Sequence, residues 1–144
     1  MEQNERERLA AVLKKNSLKA TPQRIAVHGA MRRLGHASAD MVAQEIGDDG
    51  NTKITVASVY NILSEFAKLG LCRRRLSANN KMFFDINTHE HAHFYDIENN
   101  TFRDVTEDKV IGELLEKLAR KRFRGYSVDY IDVQIVGHPR RRGE

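Results

Sequence analysis

Thr55-Val56-Ala57-Ser58-Val59-Tyr60-Asn61-Ile62-Leu63-Ser64-Glu65-Phe66-Ala67-Lys68-Leu69-Gly70 runs into Leu71-Cys72-Arg73-Arg74-Arg75-Leu76-Ser77-Ala78-Asn79-Asn80-Lys81-Met82-Phe83-Phe84-Asp85-Ile86, and the fold turns on this stretch. In its first half Val59, Ile62, Leu63, Phe66 and Leu69 recur at intervals of three and four, which gathers them on one face of an α-helix. Thr55 reads as the N-cap and Gly70 as the stop. After Gly70 the period shortens from 3.6 toward 2. Residues 71–76 and 81–86 flank Ser77-Ala78-Asn79-Asn80, which reads as a β-hairpin with asparagines at the turn.

Upstream, residues 5–16 carry Leu9, Val12 and Leu13 at helical spacing. Thr21-Pro22 reads as an N-cap with proline at the first helical position, where its missing N–H costs nothing. That helix holds Ile25, Val27, Met31 and Leu34 and stops at Gly35. Ser38 caps a third helix with Met41, Val42 and Ile46, ended by the loop Gly47-Asp48-Asp49-Gly50-Asn51. Helices at helix–turn–helix spacing followed by a basic hairpin make a winged helix over residues 1–86. Its Arg73-Arg74-Arg75 would line the wing facing phosphate.

Downstream, residues 91–97 and 101–105 read as strands around Glu98-Asn99-Asn100. Thr106 reads as the cap of a helix holding Val110, Ile111, Leu114, Leu115 and Leu118, acidic in its first turn and basic in its last. Ser127 to Val136 alternates as a strand should. A β-β-α-β module of about fifty residues is too small to hide its edges alone, so pairing with a second copy is expected. The expected fold class is α+β, with an N-terminal winged helix-turn-helix domain of the DNA-binding kind (1–86) and a C-terminal α/β dimerisation domain (87–144).

The chain of 144 residues is 40% hydrophobic and 31% charged, enough for a modest core under a solvated surface. No apolar run approaches the roughly 18–20 residues that span a bilayer. The segment Met1-Glu2-Gln3-Asn4-Glu5-Arg6-Glu7-Arg8 has no apolar region of the secretory kind. The lone cysteine, Cys72, excludes an intrachain disulfide framework and a zinc site of paired cysteines. A cytoplasmic protein with no membrane partner is expected. Residues 1–88 carry 14 Lys/Arg against 9 Asp/Glu, net +5, whereas residues 89–144 carry 10 against 11, net −1. Positive charge gathered in one region points to a polyanion, most often nucleic acid, or to a well-solvated surface.

His91-Ala92-His93 carries the chemistry. Residues two apart in a strand point to one side, so both imidazoles face one pocket. With Asn99-Asn100 at the centre of a two-residue turn, Asp104 lies opposite Tyr95 on that same face. His36 falls in the loop between the second and third helices, and Asp85 ends the wing. Three imidazoles and two carboxylates suit a divalent first-row metal, with iron or manganese as apt as zinc. An isolated His-x-His is more often ordinary polar surface. Two histidines and a carboxylate also form the non-haem iron oxygenase triad, but that site sits in a β-barrel and this chain has too few strands for one. His28 reads as structural and His138 as a loop residue.

Thr21-Pro22-Gln23-Arg24, His36-Ala37-Ser38-Ala39-Asp40, Thr55-Val56-Ala57-Ser58-Val59-Tyr60-Asn61, Phe84-Asp85, and His91-Ala92-His93 with Asp104 eleven positions on make an ordered set over about 120 residues. In that set the chain resembles the ferric uptake regulator family of bacterial metal-dependent repressors. The resemblance implies one regulatory metal per subunit, Fe(II) or Mn(II) and Zn(II) in vitro, on His36, Asp85, His91, His93 and Asp104. It implies a homodimer binding double-stranded DNA at a palindromic A/T-rich operator, and not an enzyme. The helix from Thr55 would enter the major groove with Ser58, Tyr60 and Asn61 near its N-terminal end. Lys19 would reach the minor groove, Arg24 phosphate, and Arg73 the backbone from the wing.

Departures from the family pattern narrow the expectation. Asp96 and Asn99 stand where many members have the first Cys-x-x-Cys pair, and His138, Pro139 and Arg142 follow Gly137, so no structural four-cysteine zinc is expected. Glu90, Ala92, Ile111 and Ile131 occupy the apparent positions of a second regulatory site. Asn61 replaces an arginine of many iron regulators. The chain is similar to the iron-response branch and to the peroxide-sensing branch. The first implies control by iron status or haem, with His89 a haem neighbour. The second implies oxidation of an iron-bound histidine by hydrogen peroxide. Both readings stay open on these residues.

Overall fold

A computed structural model describes residues 2–50, 53–88 and 91–144; Asn51, His89 and Glu90 lie outside the described residues. The chain divides into two compact units, Met1–Thr88 and His89–Glu144. Among the described residues no helix is long and apolar enough to cross a membrane.

The first unit holds α1 (Glu2–Lys15), α2 (Pro22–Leu34), β1 (His36–Ala37), α3 (Ala39–Asp49), α4 (Val56–Lys68), β2 (Arg73–Leu76) and β3 (Met82–Asp85). Three helices begin as the sequence predicts, because a side-chain oxygen satisfies an amide that the first turn leaves open. Thr21 accepts from the Arg24 amide, Ser38 from Met41 and Thr55 from Ser58, at 3.1–3.3 Å. Gly35, at φ 75°, ends α2 where a residue with a Cβ would be strained. Leu13, Val27, Met31, Val42, Val59, Leu63, Phe66 and Phe84 are fully buried together.

Three features of this unit differ from expectation. The third helix runs through Gly47 and Asp48 to Asp49 and stops at Gly50 in the left-handed region. His36 is in a strand, not a loop: β1 pairs with β3, giving the sheet order β1-β3-β2. Two residues between the stop at Gly35 and the cap at Ser38 are too few to display a period. The arginine run does not present one face either. Alternation turns Arg74 outward and buries Arg75, whose Nη1 lies 2.9 Å from Asp85 Oδ2.

The second unit holds β4 (Ala92–Asp96), β5 (Thr101–Val105), α5 (Lys109–Arg120) and β6 (Val133–Gly137). β4 is central, antiparallel to β5 and parallel to β6. The hairpin register corrects the expected one: Asp104 lies opposite His93, and Tyr95 opposite Phe102. Asp96 sets this loop, since its carboxylate accepts the Glu98 and Asn99 amides and the Asn99 side chain, while Asn100 closes it at φ 54°. Its pKa is lowered mainly by the Asn99 side-chain bond. The helix cap is Asp108 rather than Thr106, so the acidic residues fall before the first turn, which has none. The last strand starts at Val133, not Ser127, because the ladder on β4 takes five residues from each strand. No residue of α5 is buried.

Candidate metal centre

In the first unit, β1 and β3 bring His36 and Asp85 into direct register. His36 Nδ1 lies 3.4 Å from Asp85 Oδ2, and the Asp85 side chain is 1% exposed. The Asn87 amide donates to Asp85 Oδ1 at 2.9 Å. Packing between strands therefore fixes the carboxylate, with Arg75 as its neutralising charge.

In the second unit, His91, His93 and Asp104 share one face of the β4–β5 hairpin. Asp104 Oδ1 lies 2.9 Å from His91 Nε2 and 3.4 Å from His93 Nε2. The two imidazole rings are 4.1 Å apart between centroids. His93 is fully buried, with its edge toward Phe102, while the Asp104 side chain is 33% exposed. Beneath it, the Tyr95 hydroxyl donates to Asn100 Oδ1 at 3.0 Å, which anchors the hairpin end.

Each unit by itself offers donors that fit a metal ion. In the second, His91, His93 and Asp104 each present a ligand atom within 4.8 Å of the other two, and in the first, His36 and Asp85 do so toward each other. Donors bound at about 2.0–2.2 Å span roughly 4 Å across an ion, so small adjustments suffice. Imidazole nitrogen mixed with carboxylate oxygen suits first-row divalent ions rather than calcium or copper(I).

Two nearby residues escape the sequence reading. Asp132 Oδ1 is 3.9 Å from His93 Nδ1, on the ring edge away from Asp104. Finding it needs the parallel register of β6, which no local pattern reveals. Arg75 is the other: the sequence reading sets it on the wing toward phosphate, and the alternation of the wing strand is the signal that turns it inward onto Asp85.

The residues expected to meet DNA are dispersed over the first unit. Tyr60 is 38% exposed on α4, its ring edge on Phe84 at 5.9 Å. Asn61 is exposed, and Ser58 Oγ accepts from the Thr55 hydroxyl at 3.0 Å. Arg24 is held by Glu65 Oε1 at 3.1 Å and donates to the Lys19 carbonyl at 2.9 Å, which orders the turn carrying the exposed Lys19 side chain. Arg73 is half-buried, opposite Asp85. Cys72 is buried, and burial pushes its thiol up to about 12.

A model of the ferric uptake regulator family matches residues 15–135. The peroxide-responsive repressor PerR of Staphylococcus aureus strain Mu50 is 33% identical over 95 residues, 63% of this chain and 62% of that protein. The repressor of the same description from Staphylococcus epidermidis is 34% identical over 94 residues, 62% of this chain and 60% of its own. The match thus spans less than two thirds of these relatives' length. Among solved structures, the Vibrio cholerae ferric uptake regulator superposes with a TM-score of 0.72 at 24% identity, over 88% of this chain and 95% of that one. The Campylobacter jejuni peroxide stress regulator does so with 0.65 at 30% identity, over 90% and 95%.

Proposed function

The chain belongs to the ferric uptake regulator family, and from that membership we propose that it is a metal-dependent transcription repressor. It binds a palindromic A/T-rich operator in double-stranded DNA as a homodimer, in the cytoplasm. Residues 1–86 are the DNA-binding domain and residues 87–144 the dimerisation and metal-sensing domain. One divalent ion per subunit, Fe(II) or Mn(II) with Zn(II) as a substitute in vitro, takes His36 and Asp85 from the first and His91, His93 and Asp104 from the second. Binding by ligands from both domains makes the DNA-competent arrangement depend on the ion. The function is binding and release, not turnover of a substrate.

The observation that carries this reading is the shared Asp104 oxygen, within 3.4 Å of two imidazoles on one strand face. On the DNA side, Ser58, Tyr60 and Asn61 read the major groove, while Lys19, Arg24 and Arg73 contact the backbone or minor groove. The unburied apolar residues of α5 support the homodimer.

Peroxide is the signal best supported, because the Staphylococcus relatives are described as peroxide-responsive repressors and both carboxylate positions here are aspartate. Control by iron status or haem is the alternative, and its residue, His89, lies outside the described residues.

The experiment is anisotropy with a labelled duplex selected from a random library. Protein stripped by chelator is compared with protein given Mn(II), Fe(II) or haem. Tightening by Mn(II) and Fe(II), then loss of the Fe(II) form alone after peroxide, is expected. Metal-free protein that binds the duplex as tightly as the metallated form overturns the reading. Release by haem moves the signal to iron status.

A further inference from the structure

Asp85 is a buried carboxylate of the first unit, and both of its oxygens already have donors. Oδ1 accepts the Asn87 amide at 2.9 Å, and Oδ2 accepts Arg75 Nη1 at 2.9 Å. His36 Nδ1 stands 3.4 Å from that same Oδ2. One oxygen therefore faces a permanent cation and a candidate ligand together. The Arg75 side chain is only 5% exposed. The wing register pairs Arg73 with Asp85 and Arg75 with Phe83, so Arg75 reaches the carboxylate diagonally across the hairpin. A guanidinium stays charged in proteins, and salt screens a buried pair little.

We propose that Arg75 is a built-in counter-cation of Asp85 that sets how tightly the centre binds its divalent ion, an inference that rests on Asp85 being a ligand. The charge acts oppositely in the two states. Without the ion, it compensates the charge of a buried carboxylate. With the ion, a fixed positive charge would stand beside a doubly positive one at the same carboxylate, and their repulsion would weaken binding. The hydrogen bond from Arg75 would also make the Asp85 carboxylate a poorer electron-pair donor to metal. A centre weakened in this way empties when free metal falls, as a regulator needs and a permanent structural site does not. Arg75 is thus a positioning and affinity-setting residue, not a ligand.

The test is Mn(II) titration of the full chain after chelator treatment, comparing wild type with Arg75→Gln, Arg75→Lys and Asp85→Asn. Glutamine keeps a donor toward Oδ2 and removes the charge, whereas lysine keeps the charge. Arg75→Gln is expected to bind Mn(II) at least about tenfold more tightly than wild type, and Arg75→Lys to stay close to wild type. A residue that merely braced the wing would weaken binding when replaced. Unchanged or weaker affinity in folded Arg75→Gln overturns the proposal. If that variant is unfolded without metal by circular dichroism, Mn(II) must restore its fold, and failure to do so also overturns it. The underlying assignment has its own control. If wild type takes up no Mn(II), or Asp85→Asn binds it equally well, Asp85 is not a ligand and both statements fall. Normal behaviour of those two proteins with no gain in Arg75→Gln removes the Arg75 proposal alone.

Discussion

His93 and Asp104 face each other across the β4–β5 ladder, with His93 Nε2 3.4 Å from Asp104 Oδ1. His91 Nε2 reaches the same oxygen at 2.9 Å. Replacing this carboxylate should cost metal rather than fold, because the Asp104 side chain is a third exposed. Asp104→Asn is expected to lower Mn(II) affinity by about 100-fold or more, and Asp132→Asn, which acts through His93, by about tenfold. Titration beside a thermal melt checks both. A melt that collapses in Asp104→Asn without metal would show a structural role instead.

The wing and the helices were legible because caps and periods are local. Thr21, Ser38 and Thr55 each bond an amide three residues on, so four neighbouring residues suffice to predict the start. That His91, His93 and Asp104 share one face was legible by parity, whereas His36 and Asp85 joined them as ligands only through the resemblance. Moving the expected turn shifted Asp104 from opposite Tyr95 to opposite His93, two positions along β4, which preserves the face. What stayed hidden depends on partners distant in the chain. Asp132 needs the parallel pairing of β6, β1 is too short for a pattern, and Arg75 reads with its neighbours as one charge run. Thr106 and Asp108 are both competent caps, and Asp108, not Thr106, accepts the Ile111 amide.

His28 gives a pH dependence of known sign. Burial lowers its pKa below 6.5, Arg32 lowers it further, and Glu5 opposes them. The unfolded chain therefore takes up a proton at a higher pH than the folded one. The stability contributed by the neutral, half-buried imidazole is complete above about pH 6.5 and is lost as pH falls toward the depressed native pKa. Urea midpoints in chelator at pH 7.5, 6.5 and 5.5 should fall more steeply for wild type than for His28→Gln. Equal slopes would remove His28 as the cause.

Cys72 should be chemically silent. With its thiol at about 12 and Sγ–H directed to the Leu63 carbonyl at 3.6 Å, thiolate is scarce at pH 8. Labelling by a disulfide reagent in the native state should be slower than for an exposed thiol by about a thousandfold. A peroxide response, measured as loss of DNA binding by the Fe(II) protein, should survive Cys72→Ser. Loss of the response in that variant would move the chemistry from the histidine centre to the thiol.

Arg74 and Arg75 are adjacent in sequence and opposite in exposure, and DNA binding should tell them apart. Arg74→Ala is expected to reduce the salt slope of operator binding by about 0.9, one phosphate contact. Arg75→Gln, measured at saturating Mn(II), should leave the slope unchanged. Tyr60→Ala should weaken binding by about 1–3 kcal/mol and relax preference at one base position. An equal slope change for both arginines would mean that Arg75 leaves the wing interior on DNA.

The helix α5 carries five large apolar side chains, Val110, Ile111, Leu114, Leu115 and Leu118, and buries none of them fully. Val110 is 73% and Leu114 41% exposed. An amphipathic helix left open in this way is stable in water when a second apolar surface covers it. Wild type should sediment as a dimer at micromolar concentration, and a Val110→Asp/Leu114→Asp double variant as a monomer. Each added carboxylate would have to be desolvated in the interface, while the monomer leaves both in water. Operator affinity should fall when dimerisation is lost, because a single recognition helix reads only one half-site. A variant that remains dimeric would place the interface elsewhere on the second unit.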